Sequence, residues 1–171
     1  MEVWSDASGL WGCGALWEGK WFQVSWERCP EFLSAPIAAK ELLPILVASA
    51  IWGEHWRGLT ILCHCDNQAV VETLKGGYCK EKGMAHLLRC LFFFLEARYN
   101  FKLLSVHIPG CQNKAADAIS RNKLDNFFLI VPQADQMPCS VPVGILSSLV
   151  GHDNWTYGDW MSWLGSMSGN Q

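Results

Sequence analysis

Three short runs rich in apolar and aromatic residues, each closed by turn-forming residues, open the chain. Val3–Ser5, Gly12–Trp17 and Lys20–Trp26 each fit a β-strand, and Glu18 and Gly19 form a two-residue turn between the last two runs. Turns this tight join neighbouring antiparallel strands. The pattern therefore predicts a three-stranded antiparallel meander at the start of the fold.

The middle of the chain is predominantly apolar. After a loop over 28–35, a helix is predicted from Pro36 to about Trp52, and because it is apolar almost all round it should be buried between two layers. Pro44 lies inside this helix and should weaken or bend one turn, since proline has no backbone N–H to donate. The uninterrupted apolar run Leu59–Cys65 is typical of a strand at the centre of a sheet covered on both faces.

The remaining pattern alternates between helices and a strand. It predicts a short helix over 67–75, a polar glycine loop over 76–83, a long helix over 84–99, a strand over 102–107 and a last helix that Asn113 caps and that ends at Ser120. The order is βββαβααβα. A meander followed by strand–helix crossovers predicts an α/β fold with a mixed sheet and helices on both faces.

Composition narrows the class of protein. Half of the 171 residues are apolar, which excludes a disordered chain. The longest apolar run, residues 90–95, is far below the ~20 residues that span a bilayer, so no membrane partner is expected. No charged and then apolar leader opens the chain, which predicts a protein that is not secreted and acts in the cytoplasm or nucleus.

The charge divides the chain into two parts. Residues 1–121 carry 12 basic and 12 acidic side chains, whereas residues 122–171 carry one lysine and four aspartates, which accounts for the net charge of −3. We therefore expect a folded domain over 1–126 and an acidic tail or connector over 127–171, containing proline and tryptophan and partly ordered at best.

The eight cysteines include no CxxC pair, and free buried thiols are the expectation. The run Cys63-His64-Cys65 raises the alternative of a zinc site. In a strand, however, His64 points to the face opposite the two cysteines, and no second ligand pair follows at zinc-finger spacing.

Four acidic residues occupy positions where a charge is costly. They end two predicted strands (Asp6 and Asp66), lie on the apolar stripe of the long helix (Glu41), or lie in an alanine-rich turn (Asp117). Each alone could be a capped or hydrogen-bonded acid. Together they are expected to converge, and clustered carboxylates need either a large rise in pKa or a cation that neutralises them. Oxygen ligands favour Mg²⁺ or Mn²⁺, and four of them can hold two ions about 3.5–4 Å apart, an arrangement suited to phosphodiester cleavage.

The residues around these acids form recognisable motifs. They are Ser5-Asp6-Ala7-Ser8-Gly9, Gly12-Cys13-Gly14-Ala15, Lys40-Glu41-Leu42-Leu43, Cys65-Asp66-Asn67 and the run from His107-Ile108-Pro109-Gly110 through Asn113 to Asp117-Ala118-Ile119-Ser120-Arg121. Residues 3–126 thereby resemble the ribonuclease H domain of retroelements. The sequence is most similar to DIRS/Ngaro-type retrotransposons, in which that domain lies between a reverse transcriptase and a tyrosine recombinase.

The resemblance implies a ribonuclease H-like sheet of five strands in the order 3-2-1-4-5. It implies a ribonuclease H that hydrolyses the RNA strand of RNA·DNA hybrids with two Mg²⁺ ions, or Mn²⁺, leaving 5′-phosphate and 3′-hydroxyl ends. The metal ligands and catalytic acids would be Asp6, Glu41, Asp66 and Asp117, with His107 assisting proton transfer or product release. The expected partners are the hybrid and the reverse transcriptase and recombinase modules of the parent element.

Substrate contacts are expected at two places. Backbone amides around Ser8, Gly9 and Gly12, and the side chains of Asn67, Gln68 and Asn113, could reach the 2′-hydroxyl and the minor groove of a hybrid. The basic helix and loop by which cellular members grip DNA is reduced here to a loop over 76–83 with three neighbouring lysines. Weak hybrid binding by the chain alone is therefore expected, with the polymerase module supplying the grip.

Two other functions remain open. One is a catalytically inactive ribonuclease H-like module that binds nucleic acid or connects domains, as a fragment or remnant of an element would; the four acids argue against it. The other is a DNA-directed nuclease or integrase of the same fold, which normally uses three acids. Without the four acids, residues 1–121 carry a charge of +4, so the acidic total does not exclude a nucleic-acid substrate.

Overall fold

The computed structural model describes residues 1–149, and its centre is a mixed five-stranded sheet. The strands are β1 (Glu2–Ala7), β2 (Gly12–Trp17), β3 (Lys20–Ser25), β4 (Thr60–Cys65) and β5 (Lys102–His107). They lie in the order β3-β2-β1-β4-β5. The first three pair antiparallel, whereas β1 with β4 and β4 with β5 pair parallel. The predicted meander and the predicted strand order are confirmed.

Helices cover the sheet on both faces. They are α1 (Ile37–Trp52), α2 (Gln68–Gly76), α3 (Lys82–Arg89), α4 (Ala97–Tyr99), α5 (Lys114–Ser120), α6 (Leu124–Ile130) and α7 (Val143–Leu149). A π-helical stretch, Cys90–Glu96, joins α3 to α4, so the long helix predicted over 84–99 is helical throughout but not α-helical throughout. The predicted loop over 28–35 includes the short 3-10 turn Pro30–Phe32, which follows another at Trp26–Arg28.

Helix α1 is buried almost all round, as its sequence predicts. Leu42, Leu43, Leu46 and Val47 are fully buried. The helix continues through Pro44 to Trp52, so the missing backbone donor does not end it. Contacts on nearly every side of the helix hold the turn that lacks this hydrogen bond.

Alternate residues of the meander face the two helical layers. Ala15 and Phe22 pack in the core that contains α1, whereas Leu16 and Trp21 pack in a second core with α5 and α6. Gly14 lets α5 approach closely, because a Cβ built on this residue would lie 2.3 Å from Ile119 Cγ2. The two cores confirm that helices cover both faces of the sheet.

The chain beyond residue 126 also packs on the sheet. Phe127 of α6 is fully buried beside Trp21, with ring centroids 5.1 Å apart. Ile145 and Leu146 of α7 join the α1 core. The predicted domain boundary at 126 falls inside α6 and stays a prediction, and the part of the predicted tail over 150–171 lies outside the described residues.

The cysteines are free thiols, and five of the eight are buried. Cys63 and Cys65 point into the α1 core, whereas His64 lies on the other face of β4 and stacks on Trp4 with ring centroids 4.7 Å apart. The three side chains therefore do not converge on one ion. Over residues 1–149, no helix combines the length and apolar character needed to cross a membrane.

Candidate active site

Two strand ends and two helices bring the predicted acids together. Asp6 lies near the end of β1, and Asp66 directly follows β4, the parallel neighbour of β1. Parallel strands bring their carboxyl ends to the same edge of a sheet. Glu41 joins them from α1, and its Oε2 accepts a hydrogen bond of 3.1 Å from the backbone N–H of Ala7. Asp117, in the first turn of α5, is near enough to raise the pKa of both Asp6 and Glu41.

Burial and repulsion by neighbouring acids make the carboxyl groups of Asp6 and Glu41 hard to ionise. Burial raises the pKa of Asp6 to about 6; the Ser120 hydroxyl opposes this rise, and the charges of Asp66 and Asp117 add to it. Burial and the charges of Asp6 and Asp66 raise the pKa of Glu41 to about 9, against the Ala7 N–H, which lowers it. A bound cation would remove both causes of the rise, since it replaces lost hydration and neutralises the repelling charges.

Arg121 supplies a positive charge at one side of the cluster. Its Nε donates a 2.6 Å hydrogen bond to Asp117 Oδ1, and both side chains are about half exposed, at 50% and 41%. The charge of Arg121 lowers the pKa of Asp6 as well. Asp117 is therefore held by a cation of the protein, whereas Asp6 and Glu41 are more deeply buried.

Two of the four acids and a cysteine bring their possible ligand atoms closest together among the described residues. One ligand atom from each of Glu41, Cys65 and Asp66 lies within 4.8 Å of the other two. Mg²⁺ and Mn²⁺ take carboxylate oxygens and not thiols. Burial raises the pKa of the Cys65 thiol, which keeps it protonated and leaves the carboxylates as the suitable ligands.

His107 lies at the edge of the cluster. It ends β5, is exposed, and places Nε2 3.2 Å from the backbone carbonyl oxygen of Asp66. The loop that follows it rests on the same aspartate, because a Cβ built on Gly110 would lie 3.1 Å from Asp66 Oδ2. The predicted histidine is thus beside Asp66, and its proton-transfer role stays a prediction.

The loop between β1 and β2 is held by its own residues. The Ser8 side chain is buried, and its hydroxyl oxygen accepts hydrogen bonds of 3.0 Å from the backbone N–H groups of Trp11 and Gly12. Gly12 is buried too, and a Cβ there would lie 2.0 Å from the Val24 carbonyl oxygen. Gly9 is the exposed member of the three predicted contact residues. Contact of this loop with substrate stays a prediction.

The three predicted amide contacts have different surroundings. Asn67 caps α2 through its side chain, which accepts from the N–H of Val70. Gln68 is exposed and donates to Glu72. These two stand next to Asp66 in the chain, and their contact with substrate also stays a prediction.

Asn113 does not cap α5, although it stands at the capping position. Its side-chain Nδ2 donates a 2.9 Å bond to the carbonyl oxygen of Ser5, and its Oδ1 is buried without a hydrogen-bond partner. The expected cap is therefore wrong: the side chain bonds across to β1, beside Asp6, and not to its own helix.

Lys40 and Ser120 lie against the site but were not predicted as site residues. Lys40 is buried, and its Nζ donates to the carbonyl oxygens of Gly9 and Leu33 and lies 5.6 Å from the centroid of the Trp26 ring. Ser120 donates to Asp6. Lys40 directly precedes Glu41, and Ser120 follows Asp117 by three residues. This closeness to predicted acids is the signal by which the sequence could have identified both as site residues.

Sequence comparisons with known proteins find a match over part of the chain. No protein-family model matches the chain. A segment of 71 residues is 37% identical to an Enterococcus faecalis protein named "Putative hydrolase EbsB", covering 40% of this chain and 50% of that protein. The chain thus spans about half the length of that curated relative.

Two solved structures resemble the chain over most of its length. The RNase H1 of the halophilic archaeon Halobacterium salinarum has a TM-score of 0.51 at 16% identity, covering 73% of this chain and 97% of that one. LC11-RNase H1, solved in complex with an RNA/DNA hybrid, has a TM-score of 0.52 at 15% identity, covering 72% and 96%. The fold is therefore ribonuclease H-like, with the five-stranded sheet in the order 3-2-1-4-5.

Proposed function

We propose that this chain is a Mg²⁺-dependent endonuclease that hydrolyses the RNA strand of RNA·DNA hybrids. The observation that carries the proposal is the convergence of Asp6, Glu41, Asp66 and Asp117 at one edge of a ribonuclease H-like sheet. Two of these acids are buried and resist ionisation, and they gain most from a bound cation.

The four carboxylates would hold two divalent ions. When bound, the ions supply an activated water for in-line attack on phosphorus and stabilise the leaving oxygen. Asp6, on the central strand β1 between β2 and β4, would be one of the ligands. Glu41, Asp66 and Asp117 complete the ligand set, and Mn²⁺ would serve in place of Mg²⁺.

The remaining residues would orient the substrate and move a proton. His107 is exposed beside Asp66, with its Nε2 3.2 Å from the backbone carbonyl oxygen of that residue, and from there its imidazole would assist proton transfer or product release. Gly9, which follows β1 in the chain, and Gln68, which follows β4, are exposed and would meet the 2′-hydroxyls of the RNA strand. A protein of the same fold has been solved with an RNA/DNA hybrid, which supports this substrate class.

We infer a retroelement origin from the motifs of the sequence. The run from His107 to Arg121 and its neighbours resemble DIRS/Ngaro-type elements, which makes a reverse transcriptase and a tyrosine recombinase the proposed partners. Such an origin would place the chain inside the cell.

A substrate panel tests the activity. The chain is incubated with end-labelled RNA·DNA hybrid, duplex DNA and duplex RNA, each with Mg²⁺ and with EDTA. We expect cleavage of the RNA strand of the hybrid alone, and only with Mg²⁺. Binding of the hybrid without cleavage would identify an inactive module, and cleavage of duplex DNA would identify a DNA-directed nuclease; either result would overturn the proposal.

A further inference from the structure

The hydroxyl of Ser120 is buried against the first acid of the cluster. Ser120 ends α5, is fully buried, and donates a hydrogen bond from its Oγ to Asp6 Oδ2. Asp6 is itself only 4% exposed. The bond joins two residues 114 positions apart, so it forms only when α5 docks on β1.

Ser120 has a choice of acceptors. Its Oγ also lies 3.0 Å from the backbone carbonyl oxygen of Asp117, the acceptor that a helical serine often uses. A hydroxyl carries one hydrogen, and an ionised carboxylate is a stronger acceptor than a carbonyl. The hydrogen is therefore donated to Asp6 whenever that carboxylate is ionised.

This bond limits how the Asp6 carboxylate can turn. One lone pair of Oδ2 is taken by Ser120, which leaves Oδ1 and the second lone pair of Oδ2 for a cation. A ligand held in one orientation by a hydrogen-bonded neighbour binds a metal ion more tightly than one that must be ordered first.

Ser120 is held in place in turn. Its carbonyl oxygen accepts a 2.9 Å bond from the hydroxyl of Ser8, and its neighbour Ile119 is packed against Gly14 of β2. The turn that carries Ser120 is thus attached to β2 and to the loop before it.

We propose that Ser120 is the positioning residue of Asp6: its hydroxyl fixes the carboxylate in the orientation that binds a divalent cation. The inference rests on the proposed function in that Asp6 is taken as a metal ligand. It adds that the metal affinity of this site depends on a side chain that does not touch the metal.

Binding of Mn²⁺ tests the inference without any cleavage. Free Mn²⁺ is followed by its electron paramagnetic resonance signal during titration of wild type, Ser120→Ala, Ser120→Thr and Ser49→Ala. Ser49 is the matched control, because it is also a fully buried helical serine, and its hydroxyl bonds only within α1, to Ile45 at 2.8 Å. Thermal unfolding of each variant shows that the protein titrated is folded.

Four results are expected together. Ser120→Ala should weaken Mn²⁺ binding by about 10- to 100-fold, the usual effect of losing an outer partner of a metal ligand. Ser120→Thr, which keeps the hydroxyl, should stay within about threefold of wild type, and Ser49→Ala should be unchanged. The Mn²⁺ affinity of Ser120→Cys, whose thiol is a weaker donor, should lie between those of Ser120→Ala and Ser120→Thr. This variant serves as the test if Ser120→Ala does not fold.

Other results would overturn the inference. Wild-type affinity in Ser120→Ala would do so, as would an equal loss in Ser49→Ala, which would reduce the effect to the cost of a buried serine. If wild type binds no Mn²⁺, both the inference and the proposed metal site fail. If it binds Mn²⁺ with the expected differences but leaves the hybrid intact, the proposed activity fails and the inference about Ser120 stands.

Discussion

At the scale of single residues, Asp6 and Glu41 are two buried acids whose ionisation is unfavourable in the folded protein. Both are buried, and both face other acids across the cluster, so the folded protein without a cation favours their protonated forms. If these two positions served only the stability of the fold, apolar side chains of similar volume would serve it as well or better. Their presence at the edge of the sheet is best explained by chemistry at that edge.

The stability of the metal-free protein should fall as the pH rises. The pKa of Glu41 is raised from its ordinary value of 4.5 to about 9, and that of Asp6 from 3.8 to about 6. The folded state therefore keeps protons that the unfolded state has lost, so the free energy of unfolding decreases from about pH 4 towards pH 9. Urea unfolding in EDTA at pH 5 and pH 8 measures this decrease.

Glu41→Gln should remove much of that pH dependence. Glutamine keeps the shape of the side chain and has no charge to desolvate, so the variant should be more stable than wild type at pH 8 in EDTA, by at least about 1 kcal/mol. It should also lose activity. Equal stability of the two proteins at pH 8 would contradict the burial of an ionisable Glu41.

Asp66→Asn should abolish cleavage while leaving the fold intact. Asp66 follows β4 and is less buried than Asp6, so its loss removes a proposed metal ligand with little change in packing. We expect the rate of hybrid cleavage to fall by more than about 100-fold, beyond the loss that outer partners of a metal ligand cause. Asp125→Asn, at an exposed acid of α6, is the control and should cleave at the wild-type rate. Cleavage by Asp66→Asn at a comparable rate would refute its assignment.

At the scale of elements, α5 links the site to the sheet. It carries Asp117 in its first turn and Ser120 at its end, and it packs on β2 through Ile119 over Gly14. Helix α6 continues this layer, with Phe127 against Trp21. The position of two site residues therefore depends on how these two short helices pack.

Phe127→Ala should destabilise the protein strongly. The ring is fully buried, and removing a buried phenylalanine side chain costs about 3–5 kcal/mol. Leu129→Ala on the same helix is the control, because Leu129 is 81% exposed and its truncation should cost less than about 0.5 kcal/mol. Urea unfolding of both variants gives the two values. A small effect of Phe127→Ala would support a folded domain that ends at 126.

At the scale of the whole molecule, positive charge near the site is scarce among the described residues. Arg121 is paired with Asp117, and Lys40 is buried under the loop that follows β1. Lys75 in α2, Lys80 in the loop after it and Lys82 at the start of α3 are exposed and close to one another in the chain, and Lys114 at the start of α5 is exposed too. A nucleic-acid substrate would therefore be held by few ionic contacts.

Binding of a hybrid by the chain alone should be weak, and its salt dependence should be less steep than that of a protein with an extended basic surface. Each neutralised phosphate contributes about 0.9 to the slope of log affinity against log salt, so these four lysines give a slope of about −4 or shallower. Fluorescence anisotropy with Ca²⁺ in place of Mg²⁺, between about 50 mM and 200 mM salt, avoids cleavage during the measurement. Tight binding with a steep slope would show that the chain binds a hybrid without help from a polymerase module.

The order of elements up to α5 was predictable because each is encoded by local periodicity, whereas α6 and α7 were not predicted. The two-residue turn at Glu18 and Gly19 predicts the meander, and the apolar run ending at Cys65 predicts the central strand. Within the predicted elements, the structure departs from the prediction only in short segments. The π-helical stretch within the helix predicted over 84–99 and the 3-10 turns within the loop predicted over 28–35 have no periodic sequence pattern.

The sequence by itself determined the four acids, their spacing and the strand order that its motifs imply. Only the tertiary structure decided the partners of the polar groups around them: Asn113 bonds to Ser5 and leaves α5 uncapped, and Ser120 bonds to Asp6. The physical reason is that a side chain with several possible acceptors takes the one that folding brings near. Those acceptors lie more than 100 residues away along the chain, so no local pattern contains them.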